Sequence, residues 1–477
     1  MNSGLSGLLP LRGSVSLPDL LKGAQILFSV LAAAMLAGCG AVDLFQTECD
    51  TPVPAAPARQ SAPIQRALYY LASTQLQVDQ QLWSRSDYAG DWPQCFTLTG
   101  RGLYVRDVSP FMAAFIHHAL ALVNEANAEA LGVAPDQIAE ARGMRMKAIQ
   151  FMGRFQTPPD APVAGTFGFW PRRQPGWLPG DILLGGLFSL WFGGPRFMGN
   201  LEPLNISFFP PALDIVPDAD VTSTVYAALR DHADLDGGLE VTVPFERFFA
   251  DWRDTGQVPR RNNPSWLEPA SGAFLTWLPY DSPPAQPAPN DVDIVVNADV
   301  LFALGRFGRL DTAGVRASVA MINTALQSGA LRTDPADISL YYPDNLALHY
   351  TVTRAWREGG VSDLAPSVEL LLDNLLATVA ANAQGQHFWD RGDPHLNTAF
   401  GMLALMNADV DGKYEDIIDG AADFLIAQQD PTDGSWDAGA FFVGRSDNGA
   451  QAVWSSKALT TAMALEALCR QRLGRPE

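Results

Sequence analysis

Groups able to move protons collect just ahead of apolar helical segments in this chain. Asp218-Ala219-Asp220, Asp291 with Asp293, and Tyr341-Tyr342 each stand before such a segment. His349 and Arg354 lie within the next one, and Trp389, Asp390 and His395 precede another. Two carboxyl groups can divide acid and base duties across a bond, while Tyr or His beside Arg can take a proton next to a neutralised carboxylate. On that chemistry Asp218, Asp220, Asp291, Asp293 and Tyr342 are the candidate catalytic residues. Trp170, Tyr341, His349, Arg354, Trp389, Asp390 and Trp454 are the candidate ligand-binding residues, the aromatics because their rings can line a pocket for a lipid or a sugar. Asp at a helix start also caps free backbone N–H groups, and Asp218 and Asp220 can serve the helix carrying Val225 and Tyr226 in that way alone.

Metal and cofactor chemistry finds little support. His117-His118 falls inside an apolar helix, so one of the two must point off the core face. His387 and His395 flank a loop without a third convincing ligand. The run from Asn407 to Gly412 resembles the start of a calcium loop, but Ile418 stands where a bidentate Glu is needed. No cysteine pair has zinc spacing, and no nucleophile elbow, phosphate loop or dinucleotide fingerprint sits in a strand–helix context. No metal and no cofactor is expected.

The elements that must position these residues are helices. Apolar spacing predicts them over 64–75, 109–125, 135–155, 221–231, 245–252, 294–307, 312–328, 345–358, 365–382, 396–407, 414–428 and 456–470. Two kinds alternate: amphipathic helices with a charged face, and helices apolar all round, which must be buried. That alternation predicts an all-α fold, an α/α toroid of about six inner and six outer helices. Ser109-Pro110, Asp218 to Thr222, Asp291 to Asp293, Pro343-Asp344, Asp393-Pro394 and Ser455-Ser456 read as starts of the inner helices. If those helices run parallel, their polar starts converge on one mouth. Two long segments without a period, 176–211 and 264–290, are rich in Gly, Pro and aromatics and are expected to pack across it.

A short pattern occurs three times. Tyr70-Leu71 with Gln75, Phe151-Met152 with Gln156 and Phe424-Leu425 with Gln429 each end a helix, and each leads to Gly-x-Trp at Gly90, Gly168 and Gly434. The run from Phe424 to Trp436 resembles the QW repeat of squalene–hopene cyclases and related terpenoid cyclases. The resemblance implies that Gln and Trp staple an outer helix to the following turn. Class II terpene cyclases carry an Asp-x-Asp-Asp run whose central Asp protonates an alkene. Asp218-Ala219-Asp220-Val221-Thr222 is similar to it, with Asp220 at the acid position and Val221 in place of the last Asp. Protein prenyltransferases share the fold but need Asp, Cys and His around zinc. Cys469, the cysteine on an inner candidate, has no His on its helix, which excludes that activity.

The N-terminus reads as a targeting segment over 1–38. Arg12 and Lys22 precede an apolar run, 24–36, too short to span a bilayer. The run ends Leu36-Ala37-Gly38-Cys39, which resembles the lipobox of bacterial lipoproteins and implies a diacylated Cys39. Gly40 after it leaves the outer membrane as the default destination of a periplasm-facing protein. A Pro- and Ala-rich tether, within 39–63, then leads to the toroid over 64–477. An oxidising periplasm allows a bridge between Cys49 and Cys95. The formal net charge of -20 repels phosphate backbones and argues against nucleic-acid binding.

Three functions follow from these expectations. A membrane-anchored lipoprotein binds or processes a hydrophobic, isoprenoid-like ligand in the toroid's cavity. Alternatively, a glycan-active lyase or glycosidase uses the rim groups. In the third reading, a non-catalytic scaffold binds partners through its rim loops.

Overall fold

The computed structural model of the chain describes residues 53–56, 62–82, 85–98, 103–157, 163–169, 217–237, 243–260, 262–278, 290–342, 345–445 and 451–474. The signal segment 1–38, Cys39, Cys49, Trp170, the segment 176–211 and Pro343-Asp344 lie outside the described residues. The described residues all fall in one compact unit.

Twelve helices appear where apolar spacing predicts them. They are α1 Pro63–Thr74, α2 Pro110–Ala121, α3 Pro135–Met152, α4 Ala219–Asp236, α5 Glu246–Asp251, α6 Ile294–Arg306, α7 Val315–Gln327, α8 Ala347–Arg357, α9 Ala365–Thr378, α10 Pro394–Ala408, α11 Glu415–Gln428 and α12 Lys457–Leu473. The even-numbered helices touch in the cycle α2, α4, α6, α8, α10, α12 and back to α2, which closes an inner ring. Odd-numbered helices α1, α3, α7, α9 and α11 pack outside it. The fold is therefore an α/α toroid. Burial explains the alternation. Residues 294–304 of α6 and 396–408 of α10 are buried without a break, whereas α11 buries one stripe and leaves Glu415, Asp419 and Gln428 on the surface.

Caps fix where the inner helices start. Ser109 accepts from Phe111 N–H, Asp218 from Val221, Asp293 from Val295 and Val296, and Ser456 from Leu459. These starts adjoin one another. Asp393 Oδ2 accepts from Ala440 N–H at 2.8 Å, Asp293 Oδ2 accepts from Leu340 N–H, and Ser456 donates to Pro93 O. The opposite end is ionic: His118, Asp231, Arg306, Glu358 and Arg470 come from the last turns of α2, α4, α6, α8 and α12 or just beyond them. The inner helices thus run parallel, with polar starts at one mouth and a charged cluster at the far end.

Gln and Trp do staple the outer layer. Trp92 and Trp436 donate their indole N–H to Leu71 O at 2.9 Å and to Leu425 O at 2.7 Å. Gln75 Nε2 donates to Gly90 O and to Met144 O of α3, and Gln429 Nε2 to Gly434 O and to Pro63 O of α1. Each staple therefore also ties its helix to the next outer one. Backbone bonds give the register: Leu76 N–H to Asp91 O, Thr157 to Thr166, Asp254 to Ala273 and Asp430 to Ser435. By that register the second copy closes on Gly165-x-Phe167 rather than on Gly168-x-Trp170. A further copy ends in Phe274, and Trp389 is the aromatic of another, donating to Leu375 O at 3.0 Å.

Helical periodicity does not announce one component. Strands β1 Gln94–Leu98, β2 Leu103–Asp107, β3 Ala440–Arg445 and β4 Gln451–Ser455 form an antiparallel sheet in the order β2-β1-β4-β3 beside the mouth. It joins the first inner helix to the last. Cys95 of β1 is disulfide-bonded, and the proposed partner Cys49 lies outside the described residues. Cys469 is a free, buried thiol. Among the described residues no helix is long and apolar enough to cross a membrane.

Candidate functional site

The first turns of α4 and α6 and the loop entering α8 bring Asp218, Asp220, Asp291, Asp293, Tyr341 and Tyr342 together at the mouth. Asp218 and Asp293 are caps, each held by backbone N–H groups, yet both are buried. Burial lifts each to a pKa of about 7, against the partial opposition of those N–H bonds. Asp291 accepts from Tyr341 O–H, and Trp277 Nε1 donates to Tyr341 Oη at 3.1 Å and Asp291 Oδ2 at 3.2 Å.

Asp220 has a different position. It lies in the first turn of α4, two residues inside the cap, and is 5% exposed. Its Oδ2 accepts from Tyr342 O–H, and its carboxyl also meets that of Asp299 in a hydrogen bond. Burial first, then the charges of Asp299 and Asp218, hold this carboxyl well above the ordinary carboxylate range, and the Tyr342 bond opposes them only in part. Burial, then the Asp220 charge, keeps the Tyr342 phenol protonated.

Asp299 sits nearly two turns further along the ring, on α6, and its carboxyl adjoins that of Asp220. Arg354 Nη2 of α8 donates to Asp299 Oδ1 at 2.6 Å. Burial raises Asp299 as well, opposed by the Arg354 charge and by its hydrogen bond with Asp220, so the two carboxyls titrate as a pair. The Arg354 guanidinium also lies over the rings of Phe302, Tyr350 and Phe115, at 4.1, 4.9 and 5.1 Å from their centroids. Sequence spacing misses Asp299. Its signal is a lone carboxylate inside the buried run 294–304, because such a charge needs a partner.

Aromatic rings wall the site. Phe441 of β3 reaches into the ring, its centroid 5.5 Å from Phe111, 5.2 Å from Phe115, 5.6 Å from Tyr342 and 5.7 Å from Phe400. Phe442 stacks on Tyr341 at 5.6 Å and meets Trp454 at 5.1 Å. Trp454 Nε1 donates to Asp107 Oδ2 at 2.7 Å.

Of the other candidates, three lie apart. His349 faces outward from α8, where Nε2 meets Asn374 Oδ1 of α9 at 2.9 Å. Burial and the Arg391 charge push it down to about 3. Trp389 serves the staple to Leu375, and Asp390 is exposed, accepting from Gly392 N–H. Of the paired histidines, His118 faces the ring and holds Asp231 at 2.6 Å, while His117 is buried with neither ring nitrogen bonded. Among the described residues no group of His, Cys, Asp and Glu could hold a metal ion. Asp409 accepts from Lys413 and Tyr414 N–H, which makes 407–412 a helix–helix turn.

No family model matches the chain, and no curated protein matches it. Among solved structures it is similar to a type II terpene cyclase from Scytonema, at 14% identity and a TM-score of 0.48, covering 87% of this chain and 98% of that one. A protein from Actinoplanes gives 16% identity and a TM-score of 0.42 over 87% of this chain and 100% of that one. The ent-copalyl diphosphate synthase of Streptomyces platensis gives 18% identity and a TM-score of 0.24 over 92% and 98%.

Proposed function

We propose that the toroid takes up a hydrophobic, isoprenoid-like ligand at the mouth end of its ring, and that Asp220 gives its proton to a carbon–carbon double bond of that ligand. One observation carries this reading: the buried Asp220 carboxyl, bonded by Tyr342 O–H and set against the Asp299 carboxyl, lies inside aromatic walls. In the transfer the Asp220 O–H bond breaks and a C–H bond forms from the alkene π pair. The other alkene carbon is left cationic. The faces of Phe111, Phe441 and Tyr342 favour such a cation. Tyr342 O–H stabilises the carboxylate left on Asp220. Loss of a proton from the cation then restores a neutral product.

A second reading has its own support. Phe441 occupies the ring interior beside Tyr342 and is 1% exposed. That placement suits a closed, non-catalytic scaffold. The glycan reading has no such observation, since Asp218, Asp220, Asp291 and Asp293 are each no more than 5% exposed. Lipid mass spectrometry of protein purified from its membrane separates the first two. A bound polyprenoid, displaced in a Tyr342→Trp variant, supports the ligand site; protein free of lipid under the same extraction favours the scaffold.

The same reading includes a lipid anchor on Cys39, supported by the sequence Leu36-Ala37-Gly38-Cys39. Labelled palmitate should enter the wild-type chain, and Cys39→Ala should lose both the label and the membrane fraction. An unlabelled wild-type chain would remove the anchor from the account.

A further inference from the structure

The sheet beside the mouth carries a buried polar group with nothing to bond. Gln94, the first residue of β1, is 1% exposed, and neither its Nε2 nor its Oε1 has a hydrogen-bond partner. A buried carboxamide left unbonded is costly, and an apolar side chain would fill the place without that cost. Strand register fixes the face on which it stands. Gln94 lies directly opposite Asp107 of β2, and side chains opposed across an antiparallel pair share a face. Asp107 Oδ2 accepts from Trp454 Nε1, and Trp454 meets Phe442, so this is the face those two rings line. Phe442 carries the same wall onward to the acid. Its ring centroid lies 5.6 Å from that of Tyr341 and 5.8 Å from that of Tyr342, the phenol bonded to Asp220. Ser456, the cap of α12, donates to Pro93 O and so holds the backbone just ahead of Gln94 at the mouth.

We propose that Gln94 binds the polar end of the ligand and that this end is a hydroxyl, which makes the substrate class a prenyl alcohol. The proposal rests on the toroid taking up an isoprenoid-like ligand. A hydroxyl oxygen accepts the N–H of Nε2 and gives its own O–H to Oε1, which satisfies both unbonded atoms at once. A hydrocarbon satisfies neither. A diphosphate or a carboxylate offers acceptors alone, leaves Oε1 unbonded and brings negative charge beside Asp107. With the hydroxyl on the sheet, the isoprenoid chain runs over Phe442 toward Asp220. Gln94 is a specificity residue; it does not touch the reacting double bond.

The test compares three probes by equilibrium binding to the full-length protein: a linear prenyl alcohol, its methyl ether and its diphosphate. The wild-type protein should bind the alcohol at least tenfold more tightly than the ether, which lacks the donor, and than the diphosphate. Gln94→Met keeps the side-chain length, loses both polar atoms and should bind alcohol and ether alike. Without ligand, its urea midpoint should be no lower than that of the wild type, because no bond within the fold is lost. A lower midpoint would mean that the fold itself bonds the carboxamide, and would overturn the site. Wild-type protein that binds the ether or the diphosphate as tightly as the alcohol overturns the proposal without any variant. An alcohol preference that survives in Gln94→Met overturns it as well. Wild-type protein that binds none of the three instead overturns the isoprenoid reading on which the proposal stands.

Discussion

Arg354 on α8 and Asp299 on α6 meet at 2.6 Å across the ring interior, each no more than 3% exposed. The pair is isolated from solvent, so its partners depend on each other. Removing the cation alone leaves a buried carboxylate with nothing to balance it, which costs about 3–5 kcal/mol. Arg354→Met should lower unfolding stability by that amount in denaturant titration. The double variant Arg354→Met/Asp299→Asn should recover much of the loss. Equal stability of the single and double variants would contradict this dependence.

Buried acids and buried histidines pull the pH profile in opposite directions. Asp293 rises from its ordinary 3.8 to about 7 because it is buried. Its folded-state pKa is raised, so its contribution is full below about pH 4 and lost as pH rises through 7. His349 falls from 6.5 to about 3, so its contribution is present above 6.5 and lost as pH falls toward 3. Asp293→Asn keeps the cap through its amide oxygen and loses the Leu340 N–H bond at every pH, so relative to wild type its stability should rise from pH 4 to 7, by up to about 4 kcal/mol. His349→Gln should gain in the other sense, from pH 6.5 down to 3. Urea midpoints across that range read both tilts, and tilts of the same sign would refute the assignment.

The staple turns make one comparison clean. Gly434 at φ +84° and Gly385 at φ +78° carry nearly the same left-handed backbone. A Cβ on Gly434 would lie 2.5 Å from Arg66 O of α1, whereas one on Gly385 would meet nothing within 4 Å. Gly385→Ala should cost about 1 kcal/mol from backbone conformation alone, and Gly434→Ala distinctly more. Thermal midpoints that fall equally would mean that the turn does not press on the neighbouring outer helix.

Phe441 separates the two functional readings. Phe441→Ala should cost about 3–5 kcal/mol because its neighbours close only partly over the space. In the ligand reading the same change enlarges the site, so a fluorescent polyprenoid should bind the variant more tightly than wild type. In the scaffold reading binding stays undetectable in both proteins, while the stability loss remains.

Periodicity and capping made most of the toroid legible. The twelve apolar segments, with Ser109, Asp218, Asp293 and Ser456 as caps, need only neighbours along the chain. The sheet does not: Cys95 pairs with Ser455 and Phe96 with Trp454, and such pairing leaves no local trace. Asn448-Gly449 is a turn dipeptide, but Gln451-Ala452-Val453-Trp454-Ser455 does not alternate apolar with polar types, so the buried and half-buried alternation of that strand shows only in the structure. Trp389 reads as a ligand-binding aromatic because Val379 stands where three of the other repeats carry Gln, which hides its staple. At the site, the mouth carboxylates are visible as helix starts. What distinguishes Asp220 from the capping Asp218 is its neighbour Asp299, one helix away around the ring, and no spacing along the chain reports that.

The most direct test of the account follows the proton itself. The wild-type protein and Asp220→Asn are incubated with a linear polyprenoid in D2O, and the recovered hydrocarbon is weighed by mass spectrometry. The account predicts an isomer carrying a single deuterium from the wild-type protein and none from Asp220→Asn. A polyprenoid that binds the wild-type protein and returns without deuterium would contradict it.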